Sequence, residues 1–228
     1  MMKLLLFDVD LTLVNSGGSG RRAMTQAFAT LFNRSNGFDS VDFAGRTDPL
    51  ILKDALAGNG LQWSPEKEEN FKETYFNLLK TEIEKPHAGK KIEPGIPEVL
   101  QALSAKEDIL LGLLTGNWKQ GAQIKLAYFG ILSHFKMGVF ADDSENREAL
   151  PHLAVQRCQE EFSTSFPPEN VYVVGDTPLD VACARPLGAK SVAVATGFFS
   201  FDQLADSNPD YLFRDLSNYA EFLKIIEA

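Results

Sequence analysis

Three short apolar runs along the 228-residue chain each end in a group of oxygen-bearing side chains. Lys3-Leu4-Leu5-Leu6-Phe7 is followed by Asp8-Val9-Asp10, and the run from Ile109 to Leu114 by Thr115-Gly116-Asn117. The run from Val171 to Val174 is followed by Gly175-Asp176-Thr177-Pro178-Leu179-Asp180. A single Asp, Thr or Asn after such a run is most simply a turn former or a helix cap. Three run ends that each carry one are harder to attribute to capping. Carboxylates that converge without a cation repel, so a metal is implied, and an all-oxygen donor set favours Mg²⁺. Alternate residues just past a strand, such as Asp8 and Asp10, can bring two carboxylates to one substrate.

Convergence needs a scaffold. Continuous apolar runs of this length suit strands covered on both faces, as in a parallel sheet. Weaker runs lie at Met137–Phe140, Ser191–Val194 and Tyr211–Phe213. Helical patterns separate them. One follows Pro94-Gly95-Ile96-Pro97, one is carried by Ile124, Ala127 and Tyr128, and one by Leu150, Leu153, Ala154 and Cys158 behind Pro151. Alternating strands and helices predict an α/β fold with a doubly wound parallel sheet. Ligands then bind beyond the carboxyl ends of the strands, where all these polar groups would stand. Residues 16–87 break the alternation. Met24, Ala27, Phe28, Leu31 and Phe32 follow a helical period, as do Leu52, Ala55 and Leu56, and then Phe71, Tyr75, Leu78, Leu79 and Ile83. The expected division is a core of 1–15 and 88–228 with an all-helical cap of 16–87. Asn15–Gly20 and Pro86–Gly89 are read as flexible hinges.

The net charge of −9, from 22 basic and 31 acidic residues, argues against non-specific nucleic-acid binding and a polybasic membrane anchor. A hydrophobic fraction of 44% supplies a core and excludes global disorder. The apolar start stops at Asp8 and Asp10, too short for a signal peptide, and no stretch approaches the ~18 apolar residues of a membrane span. Cys158 and Cys183 have no metal or redox spacing and read as buried thiols. A cytoplasmic protein is expected.

In their order, Asp8-Val9-Asp10-Leu11-Thr12, Thr115-Gly116-Asn117 and Gly175-Asp176-Thr177-Pro178-Leu179-Asp180 resemble the motifs of the haloacid dehalogenase (HAD) superfamily of phosphohydrolases. The similarity covers essentially the whole chain, cap included. Ala195-Thr196-Gly197-Phe198 and Pro209-Asp210 add a likeness to the phosphoglycolate-phosphatase-like branch. The resemblance implies that Asp8 attacks phosphorus and forms an aspartyl-phosphate. Asp10 would protonate the departing alkoxide and then deprotonate the water. Asp8 and Asp176 would hold Mg²⁺ with the Asp10 carbonyl, and Asp180 would bind a water on the metal or orient the local cation. Thr115, with backbone N–H groups at Gly116 and Asn117, would hold the phosphoryl oxygens.

The sequence departs from the family at its basic residue, usually a lysine. Arg147, in Arg147-Glu148-Ala149-Leu150-Pro151, stands nearest the expected place; Lys119, Lys125 and Lys136 are less well placed. In the cap, Arg46 of Gly45-Arg46-Thr47-Asp48 either reaches an anionic part of the substrate or is solvated while Thr47 or Asp48 caps a helix. His87, His134 and His152 share no metal spacing, and Phe28, Phe32, Phe71 and Tyr75 read as cap core. The expected activity is Mg²⁺-dependent hydrolysis of a small phosphomonoester, of phosphoglycolate or sugar-phosphate type, by a monomer or dimer. A phosphosugar mutase of the β-phosphoglucomutase type is the alternative. A haloacid dehalogenase, a phospho-accepting signalling domain and a non-catalytic scaffold are weaker readings.

Overall fold

The computed structural model describes residues 2–227. Leu4 to Phe7 are fully buried, as in a strand covered on both faces. They form β1 (Lys3–Phe7), the centre of a six-stranded sheet. Its partners are β4 (Ile109–Leu114) on one side and β6 (Val171–Gly175) on the other, both parallel. Beyond β4 lies β5 (Met137–Val139), and beyond β6 lie β7 (Lys190–Val194) and β8 (Tyr211–Phe213), again parallel. The chain fills one side of β1 before crossing to the other, so the strand order reverses at β1. That reversal opens a crevice at the carboxyl end of β1.

Side chains alternate across the sheet. Leu5 and Phe7 face one core with α4 (Ile96–Ser104), α5 (Lys119–Tyr128) and α9 (Tyr219–Glu227), through residues such as Val99, Leu126 and Phe222. Leu4 and Leu6 face another with α6 (Leu150–Phe162) and α7 (Pro178–Ala184), where Cys158 and Cys183 are buried free thiols. The remaining helix of this part is α8 (Phe201–Asp206).

The described residues of 16–87 contain only helices: α1 (Ser19–Phe32), α2 (Asp48–Gly58) and α3 (Pro65–Glu82). Ser64 starts α3 by accepting from the Lys67 N–H, with Pro65 in the first turn where its missing N–H is harmless. Two details differ from the sequence reading. Ser19 and Gly20 belong to α1 and are not a loose hinge. A two-stranded antiparallel ribbon of β2 (Val14–Asn15) and β3 (Lys91–Ile92) ties the two connections together. Two-residue strands carry no periodic signal, so the pattern could not find them.

The face of α5 also needs correcting. Ala127 and Tyr128 are exposed, and Ala122, Lys125 and Leu126 point inward. Phe28, Phe71 and Tyr75 are core residues as expected, but their cluster also takes in Trp118 and Ala141 from the sheet-bearing part. Trp118 is fully buried, with ring centroids 6.0–6.2 Å from those of Phe71, Tyr75 and Phe76. Burying one such side chain contributes about 1.5–3 kcal/mol to holding insert and core together. Among the described residues no helix is long and apolar enough to cross a membrane.

Candidate active site

Asp8 lies in the crevice because β1 ends there. Its N–H donates to the Val174 carbonyl at 2.9 Å, fixing the end of β1 against β6. The chain then reverses, with the Leu11 N–H on the Val14 carbonyl at 2.8 Å and the Leu13 N–H on the Val9 carbonyl at 3.0 Å. Leu11 takes a left-handed φ of 62°, a costly conformation for a branched side chain. The reversal throws Thr12 back onto Asp176, where its hydroxyl donates at 3.0 Å. Thr196 donates to the Leu11 carbonyl at 2.6 Å and holds the turn from outside.

Asp8, Asp176 and Asp180 are buried together, and each offers a carboxylate oxygen within 4.8 Å of the others. The backbone is pressed close around them. A Cβ on Gly197 would stand 1.8 Å from Asp176 Oδ2, and one on Gly175 2.0 Å from Asp180 Cγ. Arg147 is buried here too, paired with Asp180 and 3.2 Å from Asp8 Oδ1. The predicted basic residue thus stands among the acidic ones. Asp180 serves two partners: its Oδ2 closes a capping box at the start of α7 by accepting from the Thr177 N–H and hydroxyl, and its Oδ1 takes Arg147. The helix cap and the expected orienting of the local cation thus coincide in one carboxylate.

Burial pushes the Asp8 carboxyl up to about 6, with Arg147 and the Thr115 hydroxyl opposing and Asp180 adding to the rise. Burial also drives Asp176 well above the usual carboxylate range, with Asp180 and Asp8 reinforcing it. Three buried acids against one guanidinium leave an excess of about two negative charges when all are ionised. Asp8 Oδ1 has no hydrogen-bond donor among the described residues, since the Arg147 approach falls outside hydrogen-bond geometry. An all-oxygen set with an unsatisfied oxygen and that excess fits a divalent cation of the Mg²⁺ type.

Asp10 is not in this cluster. Its Oδ2 takes the Lys125 amine and the Asn117 side-chain amide, the latter at 3.0 Å. Asn117 also accepts from Lys125 at 2.5 Å, and it donates to the Thr115 hydroxyl from both its backbone N–H and its amide, each at 3.2 Å. In this structure the Asn117 N–H closes the turn onto Thr115. With both donors filling its lone pairs, the Thr115 hydroxyl has its own proton left to give, toward Asp8. Lys125, less well placed than Arg147 for the family's basic position, stands instead against Asp10, a contact the sequence reading does not contain. Its signal was the small pair Gly121-Ala122 one turn earlier, which marks the inward face of α5.

Residues 5–185 match the haloacid dehalogenase-like hydrolase family. The chain belongs to that family. It is 27% identical to a protein provisionally named pyrophosphatase PpaX from Caldanaerobacter subterraneus subsp. tengcongensis, over 98% of this chain and 94% of the relative. It is 24% identical to a phosphoglycolate phosphatase from Photorhabdus laumondii, over 99% of this chain and 92% of the relative. A crystal structure of a predicted phosphoglycolate phosphatase from Haemophilus somnus superposes with a TM-score of 0.72 at 20% identity, covering 97% and 98% of the two chains.

In this HAD hydrolase the loop Gly45-Arg46-Thr47-Asp48 joins the helical insert to the site. The Asp48 N–H donates to the Gly116 carbonyl at 2.7 Å, and the Trp118 N–H donates to Asp48 Oδ2 at 2.8 Å. Thr47 donates to the Glu145 carbonyl at 2.9 Å, and Arg147 to the Gly45 carbonyl at 3.1 Å. Neither Thr47 nor Asp48 caps α2 with its side chain, because both are used across the interface. The Arg46 backbone packs on Gly116, where a Cβ would meet its carbonyl oxygen at 2.3 Å. Its guanidinium does not enter the cluster; it pairs with Asp54 at 2.6 Å and donates to the Asp42 carbonyl at 3.3 Å.

Burial raises the Asp48 carboxyl to about 7, with Lys125 and the Trp118 N–H only partly offsetting it. A carboxyl raised on folding binds more protons in the folded state, so its contribution to stability falls as pH rises from 3.8 to about 7. The Asp48→Asn variant keeps an acceptor for Trp118 without the charge. Its Tm relative to the wild type is expected to increase from about pH 4 to about pH 8. A pH-independent difference would refute this.

Proposed function

We propose that this HAD-type phosphoric monoester hydrolase releases phosphate from a small phosphorylated metabolite through an aspartyl-phosphate on Asp8, with Mg²⁺ held by Asp8, Asp176 and the Asp10 carbonyl. The observation that carries the reading is the placement of Asp8: a buried carboxylate with one oxygen that accepts no hydrogen bond among the described residues, at the sheet crevice, flanked by the Thr115 hydroxyl and Arg147. The relatives named as phosphoglycolate phosphatase and pyrophosphatase support a small, highly anionic substrate.

Asp8 attacks phosphorus in line with the leaving oxygen, and the ester P–O bond breaks as the Asp8–P bond forms. Thr115 and Arg147 offer hydrogen bonds to the phosphoryl oxygens, whose charge they help spread. Asp10 gives its proton to the departing alkoxide. Water then attacks the phosphoryl group, Asp10 takes a proton from it, and phosphate leaves as Asp8 is restored. When bound, Mg²⁺ would neutralise the acidic cluster and the phosphoryl dianion. Asp180 keeps Arg147 aimed at Asp8. The proposed cap, 16–87, covers the site through the Gly45–Asp48 loop and excludes bulk water. Arg46 would contact substrate only after leaving Asp54. A cytoplasmic setting and a monomer or dimer complete the proposal.

The test is phosphate release from a panel of phosphomonoesters, including 2-phosphoglycolate and hexose phosphates, with Mg²⁺ and with chelator. Release that requires Mg²⁺ supports the reading. Interconversion of hexose 1- and 6-phosphates without release, or no turnover with a long-lived phosphoenzyme, would replace it by a mutase or a signalling domain.

A further inference from the structure

We infer that Lys125 is a positioning residue for Asp10, fixing the carboxylate that handles both proton transfers. This role rests on the hydrolysis proposed above. Lys125 lies on the inward face of α5 and is only 4% exposed, unusual for a lysine. Taking an ammonium out of water is costly unless it is paired and hydrogen-bonded. Here it has two acceptors, Asp10 Oδ2 and Asn117 Oδ1. Asn117 in turn donates to the same Asp10 Oδ2 at 3.0 Å. Two donors therefore converge on one oxygen of Asp10, and its Oδ1 has no hydrogen-bond partner among the described residues.

The asymmetry has a chemical consequence. A carboxylate bonded at Oδ2 by an ammonium and an amide carries its transferable proton on Oδ1. Its orientation is fixed for both the acid and the base step. The Asp10 side chain is 38% exposed while the Lys125 side chain is 5% exposed, so the carboxylate faces the opening and the lysine holds it from behind. The space for Lys125 is made by glycine: a Cβ on Gly20 of α1 would stand 3.3 Å from both its Cε and Nζ. Its acceptors in this structure are protein oxygens, and Arg147 is the cation that adjoins Asp8.

The experiment compares kcat/KM for 2-phosphoglycolate, whose alkoxide needs a proton to leave, with p-nitrophenyl phosphate, whose phenolate leaves unaided. Both are measured on the wild type, Asp10→Asn, Lys125→Met and Lys125→Gln, with circular dichroism and Tm as controls for folding. Lys125→Met is expected to lose roughly 100-fold on the alkyl ester and no more than about threefold on the aryl ester, following Asp10→Asn. Lys125→Gln keeps a donor and is expected to fall between Lys125→Met and the wild type; it also serves if Lys125→Met does not fold. Equal losses on both esters in the lysine variants, while Asp10→Asn discriminates between them, overturn the positioning role alone. An Asp10→Asn variant that does not discriminate, or a wild type that releases phosphate from neither ester nor any other member of the phosphomonoester panel, overturns the hydrolytic reading and this role with it.

Discussion

Asp8→Asn is expected to lower phosphate release by roughly 10⁴-fold or more, as removal of a nucleophile does in other covalent enzymes, without unfolding the protein. The carboxamide has nearly the shape of the carboxylate but cannot form an acyl phosphate. Geometry predicts the opposite effect on stability. Asp8 is buried beside Asp176 and Asp180, and its carboxyl is raised to about 6. A buried acid raised on folding favours the folded state when protonated, and that contribution is lost as pH rises from 3.8 through about 6. In chelator at alkaline pH the variant, which has no charge to desolvate, is expected to melt higher than the wild type. Rapid-quench kinetics with phosphate analysis, paired with thermal melts, read both effects. Substantial turnover by Asp8→Asn would move the nucleophile elsewhere.

The part of this molecule that was legible in the sequence is the part that depends on local pattern. Val171 to Val174 suits a strand buried on both faces, as it proves to be, and the residues that follow such a strand emerge at the sheet edge. The positions of Asp8, Thr115 and Asp176 follow from this logic. Arg147 was found by its place ahead of α6, although the type of residue differs from the family's usual lysine. The rest depends on contacts between distant segments. Lys125 enters the sequence reading only as a less well placed candidate for the family's basic residue; its burial is not legible there because apolar periodicity counts only apolar residues, and Ile124, Ala127 and Tyr128 mark another side of α5. A lysine that buries its stem and pairs its amine 115 positions away in sequence leaves no trace in that pattern. Asp48 resembles an ordinary first-turn acid until Trp118 is known to stand against it. Asp180 serves the helix and the site at once, because a carboxylate has two oxygens and the fold uses one for the start of α7 and one for Arg147.

Removal of the Arg147 guanidinium should have the largest combined effect on stability and activity. Arg147 bonds Asp180, adjoins Asp8 and donates to the Gly45 carbonyl of the insert loop at 3.1 Å. Breaking a buried pair by deleting one partner typically costs about 3–5 kcal/mol, because the acid left behind has no compensation. In Arg147→Ala three buried carboxylates would remain with no cation among them. The variant is expected to melt well below the wild type in chelator and to lose activity by roughly 10²–10³-fold, the scale for removing one donor to a developing charge. Added Mg²⁺ should raise the Tm of Arg147→Ala by more than it raises that of the wild type, since the variant's cluster holds a larger excess of negative charge. Arg147→Lys keeps the charge but not the fork, and one ammonium cannot reach Asp8, Asp180 and Gly45 together. It should recover most of the stability in chelator but less of the activity, with a looser insert loop seen as faster hydrogen exchange at Thr47 and Asp48. Wild-type kinetics in Arg147→Ala would remove Arg147 from the site, and an equal Mg²⁺ response in variant and wild type would place the ion away from Asp8, Asp176 and Asp180.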